Sequence, residues 1–115
     1  MGYIVHVDNS EFFRKLMKTF LTELGFECNS LERGEDAVQA VNSGEASLVI
    51  TGLELAGMHG EELIKQLVTA SRQVPVIAVT SNGDAALAAR LAALGARAVI
   101  LKSGDWKGEL RKHLK

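Results

Sequence analysis

The sequence predicts an α/β fold, a five-stranded parallel sheet with helices on both faces. Two observations carry this prediction. Five short apolar or β-branched runs alternate with five segments whose apolar residues recur at helical spacing, and strands alternating with helices imply parallel pairing through right-handed crossovers. One run, Ser47-Leu48-Val49-Ile50-Thr51, is continuous enough in apolar character to be buried on both faces, as parallel strands are.

In chain order, Tyr3 to Val7 is apolar or β-branched around His6, and Asp8-Asn9-Ser10 follows at once. This reads as a buried strand running into a helix start, with Ser10 as N-cap. Phe12, Phe13, Leu16, Met17, Phe20, Leu21 and Leu24 then predict a first helix that buries one wide stripe, with Gly25 at the left-handed position past its end. Phe26 to Asn29 is the second strand. Glu35 to Asn42, behind Gly34, is the second helix, with Ala37, Val38 and Val41 on its inner side. After the third strand a loop runs through Gly52, Gly57 and Gly60. The third helix spans Glu61 to Ala70, turning Leu63, Ile64, Leu67 and Val68 inward, and Glu61 and Glu62 lie at the favourable end of its dipole. Val74 to Thr80 is the fourth strand, where Pro75 is tolerable only near the start. Asn82-Gly83-Asp84 is turn chemistry, and the alanine-rich stretch Ala85 to Leu94 is a strong helix former ended by Gly95. Ala98 to Leu101 is the fifth strand. Trp106 to Leu114 is a short last helix behind the Ser103-Gly104-Asp105 turn.

With 47% hydrophobic and 23% charged content, one proline and one cysteine, residues 1–115 are expected to form a single soluble domain. About two thirds of the unfolded surface can be buried at this length, enough for one core. Thirteen basic against fourteen acidic residues leave a net charge of −1, which gives no overall drive towards nucleic acid or an anionic membrane. Cys28 has no intrachain partner and no thiolate cluster to join, so a buried thiol in a reducing, cytoplasmic setting is expected. The start Met1-Gly2-Tyr3-Ile4 lacks the basic head and long apolar stretch of a secretory signal, and no run reaches transmembrane length.

In a sheet of this kind ligands bind beyond the carboxyl ends of the strands, where the strand order reverses. That singles out Asp8 and Asn9 after the first strand, Gly52 after the third, Thr80 and Ser81 after the fourth, and Lys102 after the fifth. The spacing resembles the receiver domain of bacterial two-component response regulators over nearly the whole chain. Asp8-Asn9 stands where that family has its acidic pair, Thr80 where it has the hydroxyl that reports phosphorylation, and Lys102 where it has the site lysine. Gly52-Leu53-Glu54-Leu55-Ala56-Gly57-Met58-His59-Gly60 matches the stretch from the phospho-accepting aspartate to a methionine-aspartate-glycine turn. The resemblance implies a flavodoxin-like, three-layer fold with strand order 2-1-3-4-5.

The departures from the family are informative. Gly52 replaces the phospho-accepting aspartate and offers no nucleophile for phosphoryl transfer. Asn9 is a neutral amide, so of three carboxylates that would hold a divalent cation only Asp8 remains, and no useful magnesium site is expected. Ala56 and Ser103 replace prolines, His59 replaces an aspartate, and Val99 stands where many members carry an aromatic that swings inward on activation. The chain resembles a receiver without its switch, a pseudo-receiver.

From the residues themselves, Asp8 and Lys102 at neighbouring strand ends are expected to neutralise each other. Thr80 and Ser81 read as turn hydroxyls bonded to backbone, and His6 as a satisfied core histidine. His59 lies in the loop near the site, and with Glu54, Glu61 and Asp8 it makes no spacing diagnostic of a metal. Glu54 turned into the site would mimic the missing charge only against repulsion from Asp8.

The leading functional expectation is a non-enzymatic signalling module without cofactor, not phosphorylated, that binds a protein partner or itself. The resemblance implies the face of the fourth helix, fifth strand and fifth helix, here Ala85 to Leu94, Ala96 to Leu101 and Trp106 to Leu114. Trp106 either packs the core's edge or anchors that interface, and Val99 lies on the same face. One alternative is a receiver with residual ion binding or a substitute acceptor at Thr51, Ser81 or Ser103, although hydroxyls cannot form the labile mixed anhydride and Thr51 alternates away from Gly52. A flavin or other small-molecule binder is opposed by Asp8-Asn9-Ser10-Glu11, acidic where a phosphate loop needs glycine and donors. A phosphatase with Asp8 as nucleophile lacks a second carboxylate and a metal.

Overall fold

The computed structural model describes residues 2–70 and 73–114. Ten elements alternate as the sequence predicts: β1 (Tyr3–Val7), α1 (Glu11–Glu23), β2 (Cys28–Leu31), α2 (Gly34–Asn42), β3 (Ala46–Thr51), α3 (Gly60–Val68), β4 (Val76–Thr80), α4 (Ala85–Leu94), β5 (Ala98–Leu101) and α5 (Trp106–Arg111). The sheet is parallel, in the order β2-β1-β3-β4-β5.

Strand alternation divides the core into two layers. Val5, Val7, Val49, Val76 and Ala78 face Ala37 and Val41 of α2, Leu63, Ile64 and Leu67 of α3, and Leu87 and Leu91 of α4. Ile4, Leu48, Ile50, Ile77, Val79 and Ile100 face Phe13, Met17, Phe20 and Leu21 of α1, and Trp106 and Leu110 of α5. Cys28 is a buried thiol in this second layer, and its burial raises its pKa. No described helix is long and apolar enough to cross a membrane.

Several boundaries differ from the sequence reading, each for a local reason. The Gly25 and Phe26 amides donate to the carbonyls of Thr22 and Leu21, with Gly25 at φ 92°, and so close the C-terminus of α1. Phe26 is thereby committed to the helix end, and β2 runs over Cys28–Leu31 rather than Phe26 to Asn29. Pro75 has no amide to give the ladder, so β4 begins at Val76. The Thr69 hydroxyl donates to the Lys65 carbonyl and α3 stops at Val68, short of Ala70. The last helix ends at Arg111, not Leu114.

The wide stripe expected on α1 is narrower. Phe13, Met17, Phe20 and Leu21 are buried, whereas Phe12 is 73% and Leu16 37% exposed. A helix against one sheet buries an arc centred on Phe13, Met17 and Phe20, and Phe12 lies beyond its edge.

Met17→Ala is accordingly expected to cost about 2–5 kcal/mol of unfolding free energy, and Phe12→Ser less than about 0.5 kcal/mol. Denaturant titration of the two variants measures both; equal costs would mean that Phe12 is covered.

Candidate functional site

The carboxyl ends of β1, β3, β4 and β5 enclose a cavity of about 450 Å³, lined among others by Asp8, Asn9, Gly52, Thr80, Ser81 and Lys102. All six candidates are thus brought together, by the crossovers that return every strand to the same end of the sheet. Asp8 leaves β1 buried. Its Oδ1 accepts from the Ser10 amide at 2.8 Å, its carbonyl accepts from Arg14 Nη1 at 2.6 Å, and its Oδ2 stands 2.9 Å from Lys102 Nζ. The last contact is an ion pair by distance, without the angle of a good hydrogen bond. The Asp8 and Lys102 side chains are 6% and 24% exposed, so the pair is largely withdrawn from water. The ammonium also lies 4.3 Å above the Phe13 ring, a favourable place for a cation.

Gly52 is buried beside this pair. A Cβ at Gly52 would stand 2.9 Å from Asp8 Oδ2 and 3.2 Å from Asp8 Cγ. The Asp8 carboxylate therefore lies in room that any side chain at position 52 would contest. Gly60, at the start of α3, is fixed by a different approach: its Cβ would collide with the Gly52 carbonyl and the Leu53 Cα.

The loop from β4 to α4 is held by three successive bonds of side chain to backbone. Thr80 Oγ1 accepts from the Asn82 amide, Asn82 Oδ1 from the Asp84 amide, and Asp84 Oδ1 from the Ala86 amide, each at 3.0 Å. Thr80 has the backbone role expected of it, while Ser81 is exposed. His59 is the N-cap of α3, its Nδ1 accepting from the Glu61 amide at 3.1 Å. Glu54 lies exposed at the cavity's rim. Thr51 is buried with its hydroxyl donated to the Gly52 carbonyl at 2.7 Å, and Ser103 is exposed.

Arg90 and Arg14 were not singled out by the sequence reading. Arg90 of α4 grips Glu61 of α3 through Nε at 3.0 Å and Nη2 at 3.1 Å, and this partner holds the Glu61 carboxyl below its usual range. An arginine on an alanine-rich helix has no local signal for such a contact. Trp106 is buried, its ring 5.0 Å from Phe13 and 5.4 Å from Phe20, so it packs the core's edge; Val99 is half-buried on β5.

The donor set does not fit magnesium. Asp8 is one carboxylate whose Oδ2 already faces an ammonium, Asn9 is neutral and Gly52 has no donor side chain. Among the described residues no three His, Cys, Asp or Glu side chains converge as a metal cluster.

His6 corrects one expectation: it is buried but not satisfied. Neither ring nitrogen has a hydrogen-bond partner among the described residues, and Nε2 stands 4.0 Å from Asp8 Oδ2. Desolvation lowers its pKa from 6.5 to about 4, against an opposing pull from Asp8 and with help from Lys102 and Arg14.

Because the folded state holds His6 neutral more strongly than the unfolded state does, its contribution is present in full above pH 6.5 and is lost as pH falls towards about 4. The loss amounts to about 3 kcal/mol. In His6→Leu the pH dependence of unfolding over that window should flatten by this amount; an unchanged slope would refute it. Lys102→Met should cost about 3 kcal/mol by stranding the buried Asp8 carboxylate, and Asp8→Asn about 1 kcal/mol, since the ammonium can still reach water. Denaturation of both variants at neutral pH tests the order.

Comparison with known proteins places the site in context. The response regulator receiver domain family matches residues 4–115. The chain is similar to the transcriptional regulatory protein GltR of Pseudomonas aeruginosa, 34% identical over 85 residues, covering 72% of this chain and 35% of that protein. It is similar to the C4-dicarboxylate transport transcriptional regulatory protein DctD of Rhizobium meliloti, 28% identical over 96 residues, covering 84% and 21%. The matched regions span 35% and 21% of these curated relatives. Among solved structures, the response regulator protein TrrA of Thermotoga maritima, in complex with Mg2+ and BeF, superposes with a TM-score of 0.84 at 27% identity, covering 98% of this chain and 96% of that one. The BeF3-activated N-terminal receiver domain of Klebsiella pneumoniae RstA shares the fold, with a TM-score of 0.88 at 22% identity, covering 97% and 95%. The chain, with its five-stranded 2-1-3-4-5 sheet and the matched residues at its carboxyl edge, belongs to the receiver domain family of two-component response regulators.

Proposed function

We propose that this receiver domain acts without being phosphorylated, as a module whose surface is read by a protein partner. The observation that carries the reading is the Asp8 carboxylate, which stands 2.9 Å from where a Cβ at Gly52 would be and 2.9 Å from Lys102 Nζ. In the receiver family position 52 would supply the acceptor carboxylate. Here it supplies no nucleophile, and the two charges that would serve a phosphoryl group serve each other. The Thr51 hydroxyl offers no replacement, because it is buried and bonded to the Gly52 carbonyl.

The face of α4, β5 and α5 supports the second half of the proposal. Ala85, Ala86, Ala89, Ala92 and Ala93 are exposed along α4, Leu101 is 40% exposed, and β5 is an edge strand with no charged residue in Ala98–Leu101. Alanines beside an open strand edge are apolar surface that another protein can cover, with Arg90 of α4 and the charged residues of α5 at its border. Trp106 supports that face from below through Phe13 and Phe20.

Incubation with acetyl phosphate and magnesium should leave the intact mass unchanged, and beryllofluoride should leave amide NMR signals near Asp8, Thr80 and Lys102 unmoved. A phosphoryl adduct or saturable shifts in the native chain would overturn the proposal. Gly52→Asp places a second carboxylate against Asp8, so that variant should lose about 1–3 kcal/mol of stability in the absence of a divalent cation and recover part of it with magnesium.

A further inference from the structure

Charge is divided between the two helical layers. Nine of the fourteen acidic residues lie between Glu23 and Glu62, where Arg33 is the one basic residue. Glu32, Glu35, Asp36, Glu54, Glu61 and Glu62 stand on the first turns of α2 and α3 or in the loops before them. Arg33 and Arg90 pair with Glu35 and Glu61, and Asp36 and Glu62 remain exposed without an ion pair among the described residues. The layer on the other side of the sheet has the opposite excess: α1 carries Arg14, Lys15 and Lys18 with Glu11 and Glu23, and Lys107, Arg111 and Lys112 lie along and just past α5 with Glu109. Lys15 and Lys112 pair with Glu11 and Glu109, while Lys18, Lys107 and Arg111 have no ion pair among the described residues.

The same layer carries Phe12, the most exposed of the large apolar side chains among the described residues. Phe12, Leu16 and Phe20 follow one another at four-residue spacing and form a row along α1. Phe20 is buried, with Lys107 Nζ and Arg111 Cζ each 5.8 Å from its ring, while Phe12 and Leu16 continue the row into solvent. An apolar row rimmed by cations is a surface for an acidic protein face, since apolar contact supplies the affinity and charge the orientation.

We propose that this α1/α5 surface binds the acidic α2/α3 end of a second copy of this chain. The complementary charges belong to the same molecule, and a net charge of −1 leaves little repulsion between copies to oppose the contact. The two patches differ, so the contact is heterologous: a pair of copies keeps one free patch of each kind, and growth is open-ended unless a ring closes. The interface shares only α5 with the α4–β5–α5 face and does not use the chemistry of position 52, so it stands whether or not the domain is phosphorylated.

Sedimentation velocity over a concentration series, at about 50 mM and about 0.5 M salt, tests the proposal. Average mass should rise with concentration at low salt, and association should weaken at least tenfold, roughly, at high salt. The double variant Lys107→Glu/Arg111→Glu and the double variant Asp36→Lys/Glu62→Lys should each be monomeric with unchanged circular dichroism, and mixing them should restore association, because each retains the patch the other lacks. Phe12→Ser should weaken association while leaving its salt dependence in place. A monomer at every concentration, association that ignores salt, or a mixture that stays monomeric would overturn it.

Discussion

A carboxylate almost closed off from water at the end of β1 is the constraint on which the site's geometry depends. Asp8 is 4% exposed, and a buried carboxylate must find a partner or take up a proton. The partner comes from the far side of the sheet. In the order β2-β1-β3-β4-β5, Lys102 follows the last strand, so its side chain reaches Asp8 across the ends of β4 and β3. That crossing needs a clear floor, and Gly52 at the end of β3 provides it. The pair therefore joins three facts that are distant in sequence, a carboxylate at position 8, a glycine at 52 and a lysine at 102.

Much of the fold was legible because each element announces itself locally. Continuous apolar runs marked the buried strands, and Ser10, Gly25 and Gly95 marked helix ends where the structure has them. What escaped were competitions settled by single hydrogen bonds. Whether Phe26 begins a strand or closes a helix is decided by one amide, and whether α3 runs to Ala70 is decided by the Thr69 hydroxyl. The exposure of Phe12 escaped for another reason. Helical spacing gives the angle of a residue about its axis, but the width of the buried arc is set by what the helix packs against, and a single helix pattern does not contain that.

The candidate site was legible in membership and only partly in contacts. Topology requires Asp8, Gly52, Thr80 and Lys102 to meet at one end of the sheet, and opposite charges at such a place pair for reasons that need no coordinates. The Glu61 and Arg90 contact could not be read, since it depends on the distance between α3 and α4, which the packing of Leu63, Ile64 and Leu67 against Leu87 and Leu91 sets. His6 was placed correctly in the core and assigned a partner it lacks. The reason is physical: Asp8, 4.0 Å from its Nε2, is already engaged by Lys102 and Ser10, and Ser30, its register partner on β2, makes no hydrogen bond to it.

These pairings determine what the cavity can offer a ligand. An incoming anion would look for a cation, yet Lys102 faces Asp8, Arg90 faces Glu61, and Arg14 is bonded to the Asp8 carbonyl. An incoming divalent cation would look for a second carboxylate, and Asn9 and Gly52 supply none. Either ion would have to break a pair that already satisfies a buried charge, and would have to return at least the free energy that the pair contributes. His6 strengthens this bias, because a neutral imidazole beneath Asp8 leaves Lys102 as the carboxylate's cationic partner, whereas a protonated one would compete for it. With Asp8 and Lys102 paired, and Arg90 and Glu61 paired, Glu54 at the rim is the cavity carboxylate left without an ion pair among the described residues, and this internal pairing is the physical ground for proposing that a partner reads the surface instead.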